Sequence, residues 1–262
     1  MSRLDPRLAL LLPLLGWDAW RLLAGRFGDA SSALPLALVA LAAGIPAVRS
    51  VAGGRAASVP LLPTSAGLLA YAAASLTAPP LAASAVAAVA TAVLLRFLAG
   101  NRLPWAPQGG LVLLALPVLP SLDFYLAYPM RLIGAAFAAC LLRLNGMAVA
   151  VEGVALRWGE TLLLFDAACS GIRMLWASLF LVSVLALIAG FSLARYAAAL
   201  AIAVVLAIAG NAVRAASLFY LENGFTGPLR GPVAHELVGQ AAFLLFAALT
   251  LWLVAPRRRL HA

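Results

Sequence analysis

Eight mostly apolar runs of near-equal length divide the chain, at 8–24, 32–48, 59–78, 81–99, 110–128, 172–190, 194–216 and 237–255. A helix needs about 20 such residues to cross the hydrocarbon of a bilayer. The runs are too long for barrel strands and do not alternate between apolar and polar positions. They predict an all-α polytopic membrane protein with about eight transmembrane helices. Composition agrees, because 65% of the residues are hydrophobic and only 10% are charged, where a soluble domain carries about 25%. The first run follows Arg3 and Arg7 and opens like a signal peptide. The sequence after it, "GWDAWRLLAGRF", has no clean small-residue cleavage site, so a retained helix is expected. No internal repeat of fixed period is visible.

All 18 basic residues are arginine, and the net charge is +9. Scattered between apolar runs, they read as topology signals rather than a nucleic-acid surface, and the bilayer is the expected partner. The chain ends "APRRRLHA", and three adjacent arginines just beyond a span argue for a cytoplasmic C-terminus. With eight spans, the N-terminus is cytoplasmic too. Counting back, the last helix begins on the outer side near His235, the one before it ends there near Arg214, and the one before that starts there after Cys169. Three residues far apart in sequence thus converge on the outer membrane face.

Between the two groups of spans, "YPMRLIGAAFAACLLRLNG" (128–146) is apolar but carries Arg131, Arg143 and, at its start, Pro129. It is expected as a short interfacial or re-entrant helix on the outer side. "MAVAVEGVALRWGETLLLF" then alternates around a turn-like Trp158-Gly159, which predicts a small outer-face β-hairpin leading into Cys169. A domain division follows, with N-terminal transmembrane helices in 1–109 and a membrane core in 110–262 that holds the interfacial helix, the hairpin and three C-terminal helices.

The stretch "FDAACSGIRML" (165–175) packs an acid, a cysteine, a serine–glycine pair and an arginine into a chain that is otherwise nearly all membrane. "ACSGIR" at 168–173, "NAVR" at 211–214 and a histidine at the start of the final run resemble the exosortase/archaeosortase family. "YPMRL" and the hairpin before the cysteine are also similar, and the resemblance covers roughly residues 110–255. It implies a polytopic cysteine transpeptidase of the bacterial inner membrane with its site facing the periplasm. Its implied substrates are membrane-anchored proteins with C-terminal sorting signals, of the Pro-Glu-Pro type or another. Carried onto this sequence, the catalytic residues are Cys169, Arg214 and His235. The chain departs from the family pattern at Ala167, where a polar residue is common, and at Glu236, where an Asp is common.

Elementary chemistry assigns the same three residues roles. A thiol attacks as its thiolate, and a free cysteine, with a pKa of about 8.5, is activated by a helix N-terminus and nearby cations. Cys169 is expected to have both, from the helix it precedes and from Arg173 and Arg214. His235 begins a helix, where the dipole disfavours imidazolium and keeps a neutral base available. The guanidinium of Arg214 can donate several hydrogen bonds to a developing oxyanion. Arg173, Asn211, Ser170 and Asp166 are the expected substrate-binding or supporting residues, with a structural ion pair the other reading of Arg173.

Blander readings compete with these. Cys140, in "AFAACLLRL", reads as a small hydrophobe. Arg214 could snorkel to the interface, although Asn211 on the same helix face argues for use. His235 could be a cap neighbour, His261 lies in the basic tail, and Glu152, Glu160 and Glu222 read as solvated groups. A transporter or lipid-linked carrier could hold an anionic substrate with intramembrane Arg173 and Arg214, and would not need Cys169. A rhomboid-like serine dyad would have to use Ser170. With two histidines, no H-E-x-x-H and no nucleotide-binding glycine loop, no metal or cofactor is expected.

Overall fold

The computed structural model describes residues 3–6, 16, 21, 44–54, 59–99, 104–115, 118–165, 170–224 and 231–256. The expected span at 8–24, most of that at 32–48 and the terminal arginines lie outside the described residues. A short strand pair joins β1 (Arg3–Leu4) to β2 (Val59–Pro60). Helices α1 (Leu61–Thr77), α2 (Pro80–Leu98), α3 (Trp105–Ala115) and α4 (Val118–Leu144) follow. After strands β3 (Ala150–Glu152), β4 (Ala155–Trp158) and β5 (Thr161–Leu164) come α5 (Ile172–Ala189), α6 (Leu193–Glu222) and α7 (Pro232–Val254). Leucine and alanine favour these helices intrinsically, and proline at the first position of α2 and α7 presets the backbone where no N–H is needed. Among the described residues four stretches are long and apolar enough to cross a membrane: Phe124–Leu144, Ile172–Ala189, Leu193–Glu222 and Val233–Val254. Leu61–Thr77 and Ala82–Leu98 are apolar but shorter. The chain is a multi-pass membrane protein.

Two compact units divide the chain, one of Met1–Val118 with Ser183–Tyr196, the other of Leu119–Val182 with Ala197–Ala262. In the first, α1 and α2 meet through small residues: a Cβ on Gly67 would stand 3.2 Å from that of Ala90. Its buried polar groups are satisfied. Gln108 donates Nε2–H to the Ala92 carbonyl at 2.8 Å, and the hydroxyls of Ser183 and Tyr196 share a bond of 2.7 Å.

The second unit departs from expectation in α4. Instead of a span ending near 128 and a separate interfacial helix, one 27-residue helix runs straight through Pro129. An interior proline removes one ladder bond and costs about 3 kcal/mol in an exposed helix. Here buried alanines on the following turns, Ala135, Ala138 and Ala139, fasten the helix from the side.

The expected hairpin emerges as a three-stranded antiparallel meander in the order β3-β4-β5. Glu152 pairs with Ala155 and Trp158 with Thr161, so each turn has two residues. Each turn begins with a left-handed glycine, Gly153 at φ +60° and Gly159 at φ +56°, the conformation that tight hairpins require. Leu156, Trp158 and Leu163 pack inward against Leu142 of α4 and Ala215, Ala216 and Phe219 of α6. On the other face Arg157 grips Glu152 with two donors, one at 2.7 Å. That hydrogen bonding holds the Glu152 carboxyl below the usual carboxylate range. A second core cluster, of Met130, Ile172, Leu175 and Ala207, joins α4, α5 and α6.

Candidate active site

Helix α6 organises the site. A helix presents residues three apart on one face, and Asn211 and Arg214 stand at that spacing. Asn211 is 2% exposed and sits against two glycines. A Cβ on Gly171 would lie 2.7 Å from its Cγ, and one on Gly134 of α4 would lie 3.4 Å from its Nδ2. Gly171 also has φ +75°, so both its backbone conformation and its neighbour demand glycine. From that turn α5 starts, with the Leu175 N–H donating to the Gly171 carbonyl at 2.9 Å. Ser170 is 3% exposed, and its Oγ accepts a long bond of 3.4 Å from the Ile172 N–H.

Arg214, partly buried, lies against α7. A Cβ on Gly239 would stand 3.1 Å from the Arg214 Nε, so the absent side chain leaves room for the guanidinium. Gly239 is one helical turn beyond His235. His235 itself is not a cap, because α7 is capped by Gly231 without a side-chain bond. Its Nδ1 stands 3.6 Å from Oε1 of Glu222, the last residue of α6, and both side chains are well exposed, at 37% and 43%. The structure therefore brings Gly171, Asn211, Arg214, Gly239 and His235 into one contiguous line along α6 and the start of α7. Cys169 and Asp166 lie outside the described residues.

Other residues singled out in the sequence take the following positions. Arg173, in the first turn of α5, is exposed and makes no bond to a described residue. Cys140 is exposed on α4, on the side opposite the buried Ala138, Ala139 and Leu142. Glu222 faces His235 instead of bulk solvent alone, whereas Glu236 accepts from Gln240 Nε2 at 3.1 Å. Arg131 was not among the expected site residues. Its Nη1 donates to the Phe165 carbonyl at 3.4 Å, its Nε to the Ala127 carbonyl at 3.3 Å, and it lies 6.0 Å from the Tyr128 ring centre. Arg131 and Asn211 thus hold the chain on either side of 166–169, at Phe165 and at Gly171. The signal for Arg131 was an arginine two positions after a proline in an apolar run, and for the glycines there was none.

The profile of the transmembrane exosortase family matches residues 7–253, nearly the whole chain. The chain belongs to the transmembrane exosortase family. No curated protein and no solved structure matches it. Membership is consistent with a transpeptidase role.

Proposed function

We propose that this exosortase-family protein is a cysteine transpeptidase or peptidase that cleaves C-terminal sorting signals from membrane-anchored exported proteins. Cys169 attacks the substrate carbonyl, the C–N bond breaks, and a thioester acyl-enzyme forms as the C-terminal fragment leaves as an amine. An acceptor amine or water then attacks the thioester and frees Cys169. His235 accepts the thiol proton and returns it to the leaving amine. Arg214 donates to the oxyanion of the tetrahedral intermediate. Exposed Arg173 is available to the substrate backbone, Asn211 and Ser170 fix the turn after the cysteine, and Asp166 supports the segment before it.

The observation that carries this reading is the register of α6. Asn211 sits against Gly171 while Arg214, one turn on, sits against Gly239 next to the turn of His235. Cys169 precedes Gly171 by two residues, and two peptide units span at most about 7 Å. That register supports a reading in which nucleophile, oxyanion donor and acid/base share one region.

The same reading takes eight spans, with the N-terminal four in 1–109, the catalytic core in 110–262 and both termini cytoplasmic. Helix α6 has 30 residues and is about 45 Å long, against roughly 30 Å of hydrocarbon. Its first 22 residues, Leu193 to Arg214, cover about 33 Å. Its last two turns then stand outside the hydrocarbon with the sheet, as a cap on the outer, periplasmic side. A substrate whose tail has a short motif, one apolar helix and a basic end reaches such a site where its helix leaves the bilayer.

The test is thiol dependence. Cys169→Ala should accumulate normally in membranes yet leave the host's tripartite-tailed proteins unprocessed. A carrier that uses only the arginines would work unchanged in Cys169→Ala, and that outcome would refute the enzymatic reading.

A further inference from the structure

Glu222 and His235 both stand at the helix end that disfavours their charge. Glu222 is the last residue of α6, where the helix dipole is negative and an anion is destabilised. His235 lies in the first turns of α7, where the dipole is positive and a cation is destabilised. Each offsets the other's mismatch only because they meet, at 3.6 Å between Nδ1 and Oε1. An exposed pair of this kind contributes little to stability, so stability does not account for the placement. Among the described residues, the other charged groups near His235 are otherwise engaged: Glu236, on its own helix, accepts from Gln240, and Arg214, from α6, lies one turn along against Gly239.

Resting on the function proposed above, we infer that Glu222 is a positioning residue for His235. Its carboxylate accepts a hydrogen bond from Nδ1–H, stays ionised, and so leaves Nε2 as the nitrogen that exchanges a proton with Cys169 and the leaving amine. The separation is slightly beyond a hydrogen bond, as is common before substrate closes a site. When the imidazole becomes imidazolium, Glu222 is the anion that stabilises it. The pair thereby favours the thiolate–imidazolium form of the site without touching substrate.

The experiment uses the full-length protein in membrane vesicles, with Cys140→Ala so that Cys169 is the single thiol, and a membrane-impermeant maleimide as probe. At pH 7, Glu222→Gln should slow alkylation of Cys169 several-fold, and His235→Ala at least as much. In the double variant Glu222→Gln should add nothing, because it acts through His235. Glu222→Asp should recover part of the rate. Above about pH 10, where an ordinary thiol is ionised, all variants should react alike. A wild-type rate in Glu222→Gln overturns the inference and leaves the Cys169–His235 assignment standing. So does further slowing in the double variant, which would mean a general structural effect. A wild-type rate in His235→Ala overturns both.

Discussion

In the proposed mechanism Arg214, which lies beside Gly239, acts less as a charge than as a planar donor. Lysine keeps the charge but loses the fork that can give two bonds to one oxyanion. Losing one oxyanion donor typically lowers the rate about 10²–10³-fold, so Arg214→Lys should lose that much processing while substrate still co-purifies with the protein. Near wild-type processing in Arg214→Lys would move the oxyanion role to Arg173 or to backbone N–H groups at the start of α5. Gly239→Leu makes a second, independent test of the same contact. A branched side chain there displaces the guanidinium, and processing should fall toward the Arg214→Lys level although Arg214 itself is intact. Gly171→Ala acts differently, since it adds left-handed strain and a collision with buried Asn211. It should destabilise the protein by about 1–3 kcal/mol, seen as a lower melting temperature in detergent.

Among the elements, α5, α6 and α7 were legible in the sequence because uninterrupted apolar runs of spanning length admit little else. The strands were legible from their alternation, but only one turn was expected. Gly153 sits between Glu152 and Val154 without the neighbouring turn residues that flagged Trp158-Gly159, so β3 went unrecognised. The continuity of α4 was not legible either. Proline is a strong local break signal, and what overrides it is tertiary: buried alanines of α4 pack on α6 and the sheet. In the site, the motif residues could be read from the sequence, but the partners of Asn211 and Arg214 are glycines, which carry no chemical signature until a neighbour fills their space. On the exposed face of the sheet, the Arg157 hydrogen bonds depress the Glu152 carboxyl. A carboxyl depressed on folding contributes stability above its ordinary range and loses it as pH falls through the folded value. In Arg157→Gln the Glu152 titration, followed by NMR, should return upward to the ordinary value of about 4.3. No change there would mean that the pair does not persist in solution.

At the scale of the whole molecule, the proposed orientation, read from the apolar runs and the arginine-rich tail of the sequence, has the cysteine on the outer side. A phosphatase reporter that is active only when exported should be silent when fused after Ala262 and active when inserted at Gly159, in the β4–β5 turn. The reverse pattern would put the site on the cytoplasmic face and exclude exported proteins as substrates. The proposed chemistry turns on a covalent intermediate at Cys169. The most direct measurement adds hydroxylamine to membranes that contain the protein and a tripartite-tailed substrate, because this small nucleophile intercepts a thioester. The wild-type protein should release the substrate's N-terminal portion as a hydroxamate at the cleavage point, identifiable by mass, and Cys169→Ala should release none. Cleavage by Cys169→Ala at the wild-type yield, or wild-type cleavage that hydroxylamine never intercepts, would contradict an acyl-enzyme on Cys169.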